Sequence, residues 1–504
     1  MKHAPGKKIN VEYSGDDIGI NLVESITSGL YTDIRHVIRE YVQNAIDAKA
    51  KNIRINLEED TLIIEDDGTG MDKSEVQWAI KIGRSRKNIG ESVGFRGIGI
   101  WAGTTIAKKI TIDTSCEGNN KKYRINFNAS AIRKEYGTGK SAPPVLSKYV
   151  SISEFPEKKS KRYTVVRIEK IIPEALKIIK DTGGLTAYLG YNLPVDFNPS
   201  FIYRKQLTKE IDQNTNFKKV SIKLNGTPIF KPFSNEVGLP EIRKITNSEG
   251  KEIGFCWGCI HSERGGFKDK YIRGLTYRWK GFAVGDYKTS EEVFSSGSAF
   301  LFSWWTGEIH IISSTIKPDS GRSRFEVSTE WDEFLLRTQK ILKQYEDIAR
   351  QKSARENADK NIKRSSEEAE NCVEALDSCR GPEKVVRIVK MKEIRKKVKQ
   401  RMNKASPKYK KQAENILSLV DKTLKKHETP EILKKAKKIK KLALNEDISL
   451  SDLLEHKKVP DIVKDLLNII NDVLKKHLGK SSSVYKAIIG NVVCEVNKKY
   501  KYIK

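Results

Sequence analysis

Eight of the chain's 34 glycines fall between residues 68 and 103, and this crowding restricts the fold more than any other feature. Glycine inside a helix or strand costs roughly 0.5–1 kcal/mol relative to alanine, so the segment is predicted to be mainly loop. It is not a free linker. Phe95, Ile98, Ile100 and Trp101 are interspersed with Gly90, Gly94, Gly97, Gly99 and Gly103, and such apolar side chains need a core. A glycine loop tied to a core and feeding a helix start presents N–H groups that can cradle phosphates.

The flanks of the loop are regular. Residues 33–50 are predicted helical, because Ile34, Val37, Ile38, Tyr41, Val42 and Ala45 recur at helical spacing. Residues 52–57 and 61–65 read as a hairpin about the Glu58-Glu59-Asp60 turn. Further strands are expected at 110–112, 123–127 and 163–168. A helix followed by mostly antiparallel strands points to an α+β fold rather than a doubly wound sheet.

Three elements of this region combine into chemistry. Glu40, Asn44 and Asp47 are spaced i, i+4, i+7 and share one polar helix stripe. A carboxylate one turn from an amide suits a magnesium-triphosphate site: the amide oxygen is a hard ligand, and the carboxylate can orient or deprotonate water. Taken alone, such a stripe is usually just a solvated helix face. Asp66-Asp67-Gly68-Thr69-Gly70-Met71 follows the apolar run Leu62 to Ile64. A carboxylate at a strand end can accept the exocyclic amine of adenine, glycines admit a flat base, and Met71 offers it a polarizable surface. Asp-Gly by itself signals only a turn. The glycine loop is the third element.

Together these residues resemble the GHKL ATPases: gyrase B, the heat-shock chaperones of the ninety-kilodalton class, sensor histidine kinases and MutL. The run Leu30 to Ala48 looks like the chaperone's first motif, and Asp66 to Met71 matches D-x-G-x-G-[MI], with Asp66 rather than Asp67 at the adenine position. Gly94-Phe95-Arg96-Gly97 is similar to the MutL lid, and residues 82–87 sit where family members begin that lid. Thr164 to Ile168 looks like the last motif, with Tyr163 where the family has glycine. The resemblance implies a Bergerat-type α/β sandwich holding ATP and Mg2+. Glu40 would be the general base, Asn44 the metal ligand and Asp66 the adenine acceptor. Asp47, Ala48, Gly68, Gly70, Met71 and Thr164 would complete the nucleotide pocket. Gly83, Ser85, Lys87, Gly94, Phe95, Arg96, Gly97, Ile98 and Gly99 would close over the phosphates. Residues 200–330 look like the transducer or middle domain that sends a basic side chain to the γ-phosphate. In Pro318 to Phe325 the aligned position is Ser320, so Arg322 is the candidate catalytic residue, with Lys317 and Arg324 behind it.

The expected organisation is an ATP-binding domain at 1–197, a second α+β, transducer-like domain at 198–330 and a basic all-α region at 331–504. In the second domain, Val220 to Leu224, Asn225-Gly226 and Thr227 to Phe230 read as a hairpin with a type I′ turn. Strands are expected at 253–260, 275–284 and 300–312. In the tail, glycine is scarce and Pro382, Pro407, Pro430 and Pro460 punctuate helices, the last of which carries an apolar stripe from Ile462 to Leu474 that should bury against another helix or a partner subunit. The net charge is +29, and the segment 381–440 carries 21 basic against 6 acidic residues. Such a block attracts polyanions. Only Arg387, Arg395 and Arg401 among these are arginines, and lysine is the poorer fork for phosphate. The expected partners are ATP, a second copy in an ATP-dependent homodimer, and either nucleic acid at 381–440 or a protein client. A non-enzymatic alternative is an ATP-binding interaction module in a larger assembly.

No apolar h-region opens the sequence and no run approaches eighteen apolar residues, so a soluble, cytoplasmic protein without membrane contact is expected. Cys256 and Cys259 have C-x-x-C spacing but no second pair, and read as buried structural thiols. Gly137 to Ser141 imitates a P-loop but has Lys134 where the first glycine belongs. In the sensor kinases the phospho-accepting histidine belongs to a separate upstream dimerisation helix, and with 35 residues before His36 a kinase role is not expected.

Overall fold

The computed structural model describes residues 18–28, 33–85, 92–94, 96–215, 217, 219–263, 265–291, 294, 299–319, 321–379, 381–432, 434, 454, 460–478, 488–489, 492–493 and 496. It divides into two compact units, Met1–Ala349 and Arg350–Lys504.

The first unit begins with α1 (Ile20–Ser28), α2 (His36–Asp47), β1 (Asn52–Glu58), β2 (Thr61–Asp66) and α3 (Lys73–Ala79). A 3-10 segment at Gly99–Thr105 leads into β3 (Ala107–Ser115), β4 (Lys121–Phe127), α4 (Ala129–Lys134), α5 (Ala142–Tyr149), β5 (Val150–Pro156) and β6 (Tyr163–Ile171). Then come α6 (Pro173–Lys180), α7 (Thr182–Asn192), α8 (Arg204–Asn214), β7 (Ser221–Leu224) and β8 (Thr227–Pro228). These strands form one eight-stranded sheet in the order β5-β4-β3-β6-β2-β1-β7-β8. Every pairing is antiparallel except β1 with β7. The turn joining β7 and β8 has Asn225 and Gly226 both at positive φ (47° and 82°), as the Asn-Gly signal predicts. The hairpin nevertheless extends the first sheet, because β7 lies parallel to β1.

Strand phase decides what this sheet presents to the core. On β2, Leu62, Ile64 and Asp66 are buried and alternate with less buried neighbours. The period of two therefore carries Asp66 onto the apolar face at the strand's last position. Helix α2 covers that face with Val37, Ile38, Tyr41, Val42 and Ala45. It begins three residues later than the periodicity predicts. Asp33 accepts the Arg35 N–H at 2.9 Å and ion-pairs with its guanidinium, forming a local turn before the helix. It ends at Asp47, and Lys49 at φ 61° turns the chain out.

A second sheet follows, with β9 (Val237–Thr246), β10 (Glu252–His261), β11 (Gly274–Trp279), β12 (Phe282–Val284), α9 (Tyr287–Glu291), α10 (Ala299–Phe302) and β13 (Trp305–Ile311). Its order is β12-β11-β13-β10-β9. The expected strand from residue 300 is helical until Phe302, and the Trp304 N–H closes a turn on Leu301 before β13 starts. A short apolar run does not distinguish a buried helical turn from a strand. Cys256 and Cys259, an odd number of residues apart, leave β10 on opposite faces: Cys256 lies near the Tyr345 hydroxyl, Cys259 among Phe197 and Trp257. Burial pushes both thiols up to about 12. They are separate structural cysteines.

Within that domain lies a buried polar cluster. The Glu308 carboxylate accepts from Lys231, from Arg278 Nε at 2.7 Å and from Trp257 Nε1 at 3.2 Å, with His310 Nε2 at 3.1 Å. Burial alone would raise the Glu308 pKa, but Arg278, Lys231 and His310 hold it well below the usual carboxylate range.

Helix α11 (Thr329–Leu376) contains the division between the two units. In the second unit, α12 (Gly381–Met402) and α13 (Pro407–His427) share an apolar core with residues of α11, built from Ile362, Cys372, Ile388, Met391, Ile394, Ile416 and Val420. On α14 (Asp461–Leu478), Leu467 is buried, whereas Leu466 and Ile469 of the expected stripe are 55% and 60% exposed. The fold is α+β with a helical carboxy-terminal region. Among the described residues, no helix is long and apolar enough to cross a membrane.

Removing one partner of a buried ion cluster leaves the others desolvated and unpaired, at a cost of about 3–5 kcal/mol. Glu308→Ala is therefore expected to lower unfolding stability by that order in urea titrations, far more than Glu65→Ala on the exposed Arg54 pair. Equal losses would contradict the account of the cluster.

Candidate functional site

The buried phase of β2 and the polar stripe of α2 meet in one cavity of about 350 Å³. That lies within the range of ligand pockets, roughly 300–1,000 Å³. Its lining includes Glu40, Asn44, Asp47, Ala48, Asp66, Gly70, Met71, Ser85, Gly94, Arg96, Gly97, Ile98, Gly99, Thr164 and Arg322. Two expected residues stand just outside it. Gly68 donates its N–H to Asp66 Oδ1 at 2.8 Å, and Gly83 donates to the Gly97 carbonyl at 3.1 Å. Lys87, Phe95 and Ser320 lie outside the described residues.

The two adjacent aspartates are sorted by geometry. Asp67 accepts from the N–H groups of Lys51 and Asn52 at 2.7 and 2.9 Å and from Asn52 Nδ2 at 2.8 Å, so its carboxylate serves the start of β1. Asp66 faces the cavity. Burial pushes its carboxyl up to about 6, against the Gly68 N–H, which favours the charged form. Asp66 sits opposite Thr164 in the β2–β6 register. Thr164 Oγ1 lies 3.1 Å from Thr114 Oγ1, which also accepts the Met71 N–H at 2.9 Å. Gly70, at φ 68°, passes so close to β3 that a Cβ there would lie 1.9 Å from the Ser115 carbonyl oxygen.

At the other end, Glu40 and Asn44 make no side-chain hydrogen bond among the described residues. The backbone of Gly99 approaches both, with an added Cβ falling 3.2 Å from Glu40 Oε2 and from Asn44 Nδ2. Two neighbouring hard oxygen donors facing a cavity fit a magnesium ion's preference. Asp47 is engaged differently, accepting the Val93 and Gly94 N–H groups at 2.7 and 2.8 Å.

Residues 31–162 match the family model for the histidine kinase-, DNA gyrase B- and HSP90-like ATPases. Residues 31–162 are of the GHKL ATPase type. A stretch of 106 residues is 32% identical to the DNA mismatch repair protein MutL of Carboxydothermus hydrogenoformans, covering 19% of this chain and 18% of that relative's length. A solved structure of the N-terminal domain of a DNA repair protein is similar over 65% of this chain and 98% of that chain, at TM-score 0.40 and 14% identity.

Arg322 reaches the GHKL cavity from beyond the matched segment. It is 6% exposed, at φ 55°, with its guanidinium 5.5 Å from the rings of both Trp279 and Phe282. Nη2 donates to Gln43 Oε1 at 2.6 Å and to the Val93 carbonyl at 2.9 Å, whereas Nη1 is buried with no partner among the described residues. Burial lowers its pKa to about 10, which leaves it charged at neutral pH. Arg324 is 83% exposed and pairs loosely with Asp319, and neither it nor Lys317 lines the cavity.

Sequence reasoning passed over Gln43, Trp78, Ile112 and Val166, which also line the GHKL cavity. Gln43 follows Glu40 by three positions and was available from helical spacing. His36 is partly buried: burial lowers its pKa to about 3, and its ring lies 6.1 Å from that of Tyr188.

The raised pKa of Asp66 has a stability consequence. Its folded value exceeds the roughly 3.9 of an unfolded aspartate, so its contribution is complete below about pH 4 and is lost as pH rises through about 6. Asp66→Asn does not titrate. The stability difference between wild type and Asp66→Asn is expected to shift by about 3 kcal/mol in favour of the variant between pH 3.5 and 7. Urea unfolding across that range measures it, and a flat difference would refute the burial argument.

Proposed function

We propose that the chain binds ATP in this cavity and hydrolyses it slowly, as a nucleotide-gated clamp. The observation that carries the reading is convergence: a buried strand-end carboxylate, an unengaged carboxylate–amide pair and a buried, half-partnered guanidinium all open onto one glycine-lined space. Asp66 accepts the adenine amine, and Thr164, Met71, Ile112 and Val166 surround the base. Asn44 would hold magnesium, which neutralises charge on the transferring phosphoryl group. Glu40 orients the attacking water and takes its proton. Ser85, Gly94, Gly97 and Gly99 lie toward the phosphates, and Arg322 senses the terminal one, so the second sheet domain completes the ATPase site.

The clamp is proposed to work as an ATP-dependent homodimer in the cytoplasm, acting on nucleic acid. The second unit favours that choice over a protein client. On α12 and α13, Lys392, Arg395 and Lys426 are neutralised by Glu428, Asp421 and Asp377. Lys396, Lys399 and Lys425 line a groove with Lys392 and Arg395 and make no ion pair among the described residues. Unpaired cations along a groove release counterions when they meet phosphates. The partial similarity to a mismatch repair protein points the same way.

Glu40→Ala should retain ATP affinity in calorimetry while losing turnover by roughly 10²–10⁴-fold, and Asp66→Asn should lose binding itself. Near-normal turnover in the first, or normal affinity in the second, would refute the assigned role. Triple replacement of Lys396, Lys399 and Lys425 by alanine should weaken duplex binding and reduce the slope of log K against log salt by about 3. An absence of nucleic-acid binding at low salt would turn the reading toward the protein-client clamp.

A further inference from the structure

Two consecutive peptide units of the glycine loop are each held at both ends. The Ser92 carbonyl accepts from Lys280 Nζ at 2.8 Å, and the N–H of the same unit, on Val93, donates to Asp47 Oδ1 at 2.7 Å. The Val93 carbonyl accepts from Arg322 Nη2 at 2.9 Å, and the Gly94 N–H donates to Asp47 Oδ2 at 2.8 Å. A trans peptide directs its C=O and N–H to opposite sides. The loop therefore runs between a carboxylate of α2 and two cations supplied by the second sheet domain.

Lys280 occupies an unusual place for a lysine. It forms a type I′ turn with Gly281 between β11 and β12, at φ 49° and 82°. Asparagine or glycine adopts that conformation with less strain. The turn is fixed from several directions. A Cβ on Gly281 would lie 2.7 Å from Pro194 Cβ, and Arg278, two residues earlier, is bound into the Glu308 cluster. The lysine stem crosses Trp279, with Nζ 4.7 Å from that ring, and the same ring faces Arg322. Turn geometry alone gives no reason for lysine here. The reach of its ammonium to Ser92 does.

We propose that Lys280 is a positioning residue for the ATP site. It fixes the Ser92 carbonyl and makes the placement of Val93 and Gly94 against Asp47 depend on the second sheet domain. The consequence for nucleotide rests on the ATP reading of the cavity, whereas the consequence for the loop does not.

Lys280→Met keeps the stem and removes the charge, Lys280→Gly also relieves the positive φ, and Lys280→Arg restores a cation. In the nucleotide-free full chain, amide exchange at Val93 and Gly94 should quicken about tenfold in Lys280→Met and Lys280→Gly and stay near wild type in Lys280→Arg. The thermal midpoint of Lys280→Gly should not fall, which separates loop holding from fold maintenance. Unchanged exchange in Lys280→Met overturns the proposal. With ATP, KM should rise roughly three- to tenfold in Lys280→Met with kcat within about twofold, and an unchanged KM overturns its functional half. Calorimetry on the wild type is read separately: no ATP binding there defeats the site reading, while the exchange rates still decide the role of Lys280.

Discussion

A guanidinium buried against two aromatic rings ties parts of the first unit together. Arg322 contacts Gln43 of α2 and the Val93 carbonyl of the glycine loop, and it sits on the loop that follows β13. Arg39, one residue before Glu40, donates to the neighbouring Gly321 carbonyl at 3.1 Å, and the Gly285 N–H donates to the Arg322 carbonyl at 2.8 Å. A charge removed from water must be paired or neutralised. Here it is only partly paired, and it borders the cavity. The backbone strain at φ 55° is of the kind that functional sites retain because their surroundings overdetermine it.

The remaining site chemistry follows from where each side chain leaves its element. The β2 alternation that buries Leu62 and Ile64 also buries Asp66, and the same burial raises its pKa. One residue later the phase reverses, and Asp67 binds backbone instead. On α2 the apolar stripe packs on the sheet, which leaves Glu40, Gln43, Asn44 and Asp47 for the cavity. Asp47 divides the work with the second sheet domain: it holds the loop's amides while Lys280 and Arg322 hold the carbonyls.

What was legible in the sequence was local. The Asp66 to Met71 motif, the stripe on α2 and the Asn225-Gly226 turn are set by neighbours within a few positions. What was illegible depended on distance along the chain. Nothing around Lys280 announces that its ammonium meets Ser92, and nothing around Asp47 announces Val93 and Gly94. The parallel pairing of β7 with β1 is likewise a long-range choice, invisible to hairpin rules. The helical turn at Ala299–Phe302 eluded pattern reading because a short apolar run has no period to measure. The apolar stripe on α14 was legible as a pattern, but its exposure at Leu466 and Ile469 was not.

The most direct measurement is a crystal structure of the full chain with magnesium and a non-hydrolysable ATP analogue. The adenine amine should lie within about 3 Å of Asp66, with Glu40 and Asn44 beside the terminal phosphate's metal and Arg322 Nη1 on the phosphate itself. An analogue bound elsewhere, or a base turned away from Asp66 with Arg322 still unpaired, would contradict the assignment of this cavity as a two-domain ATPase site.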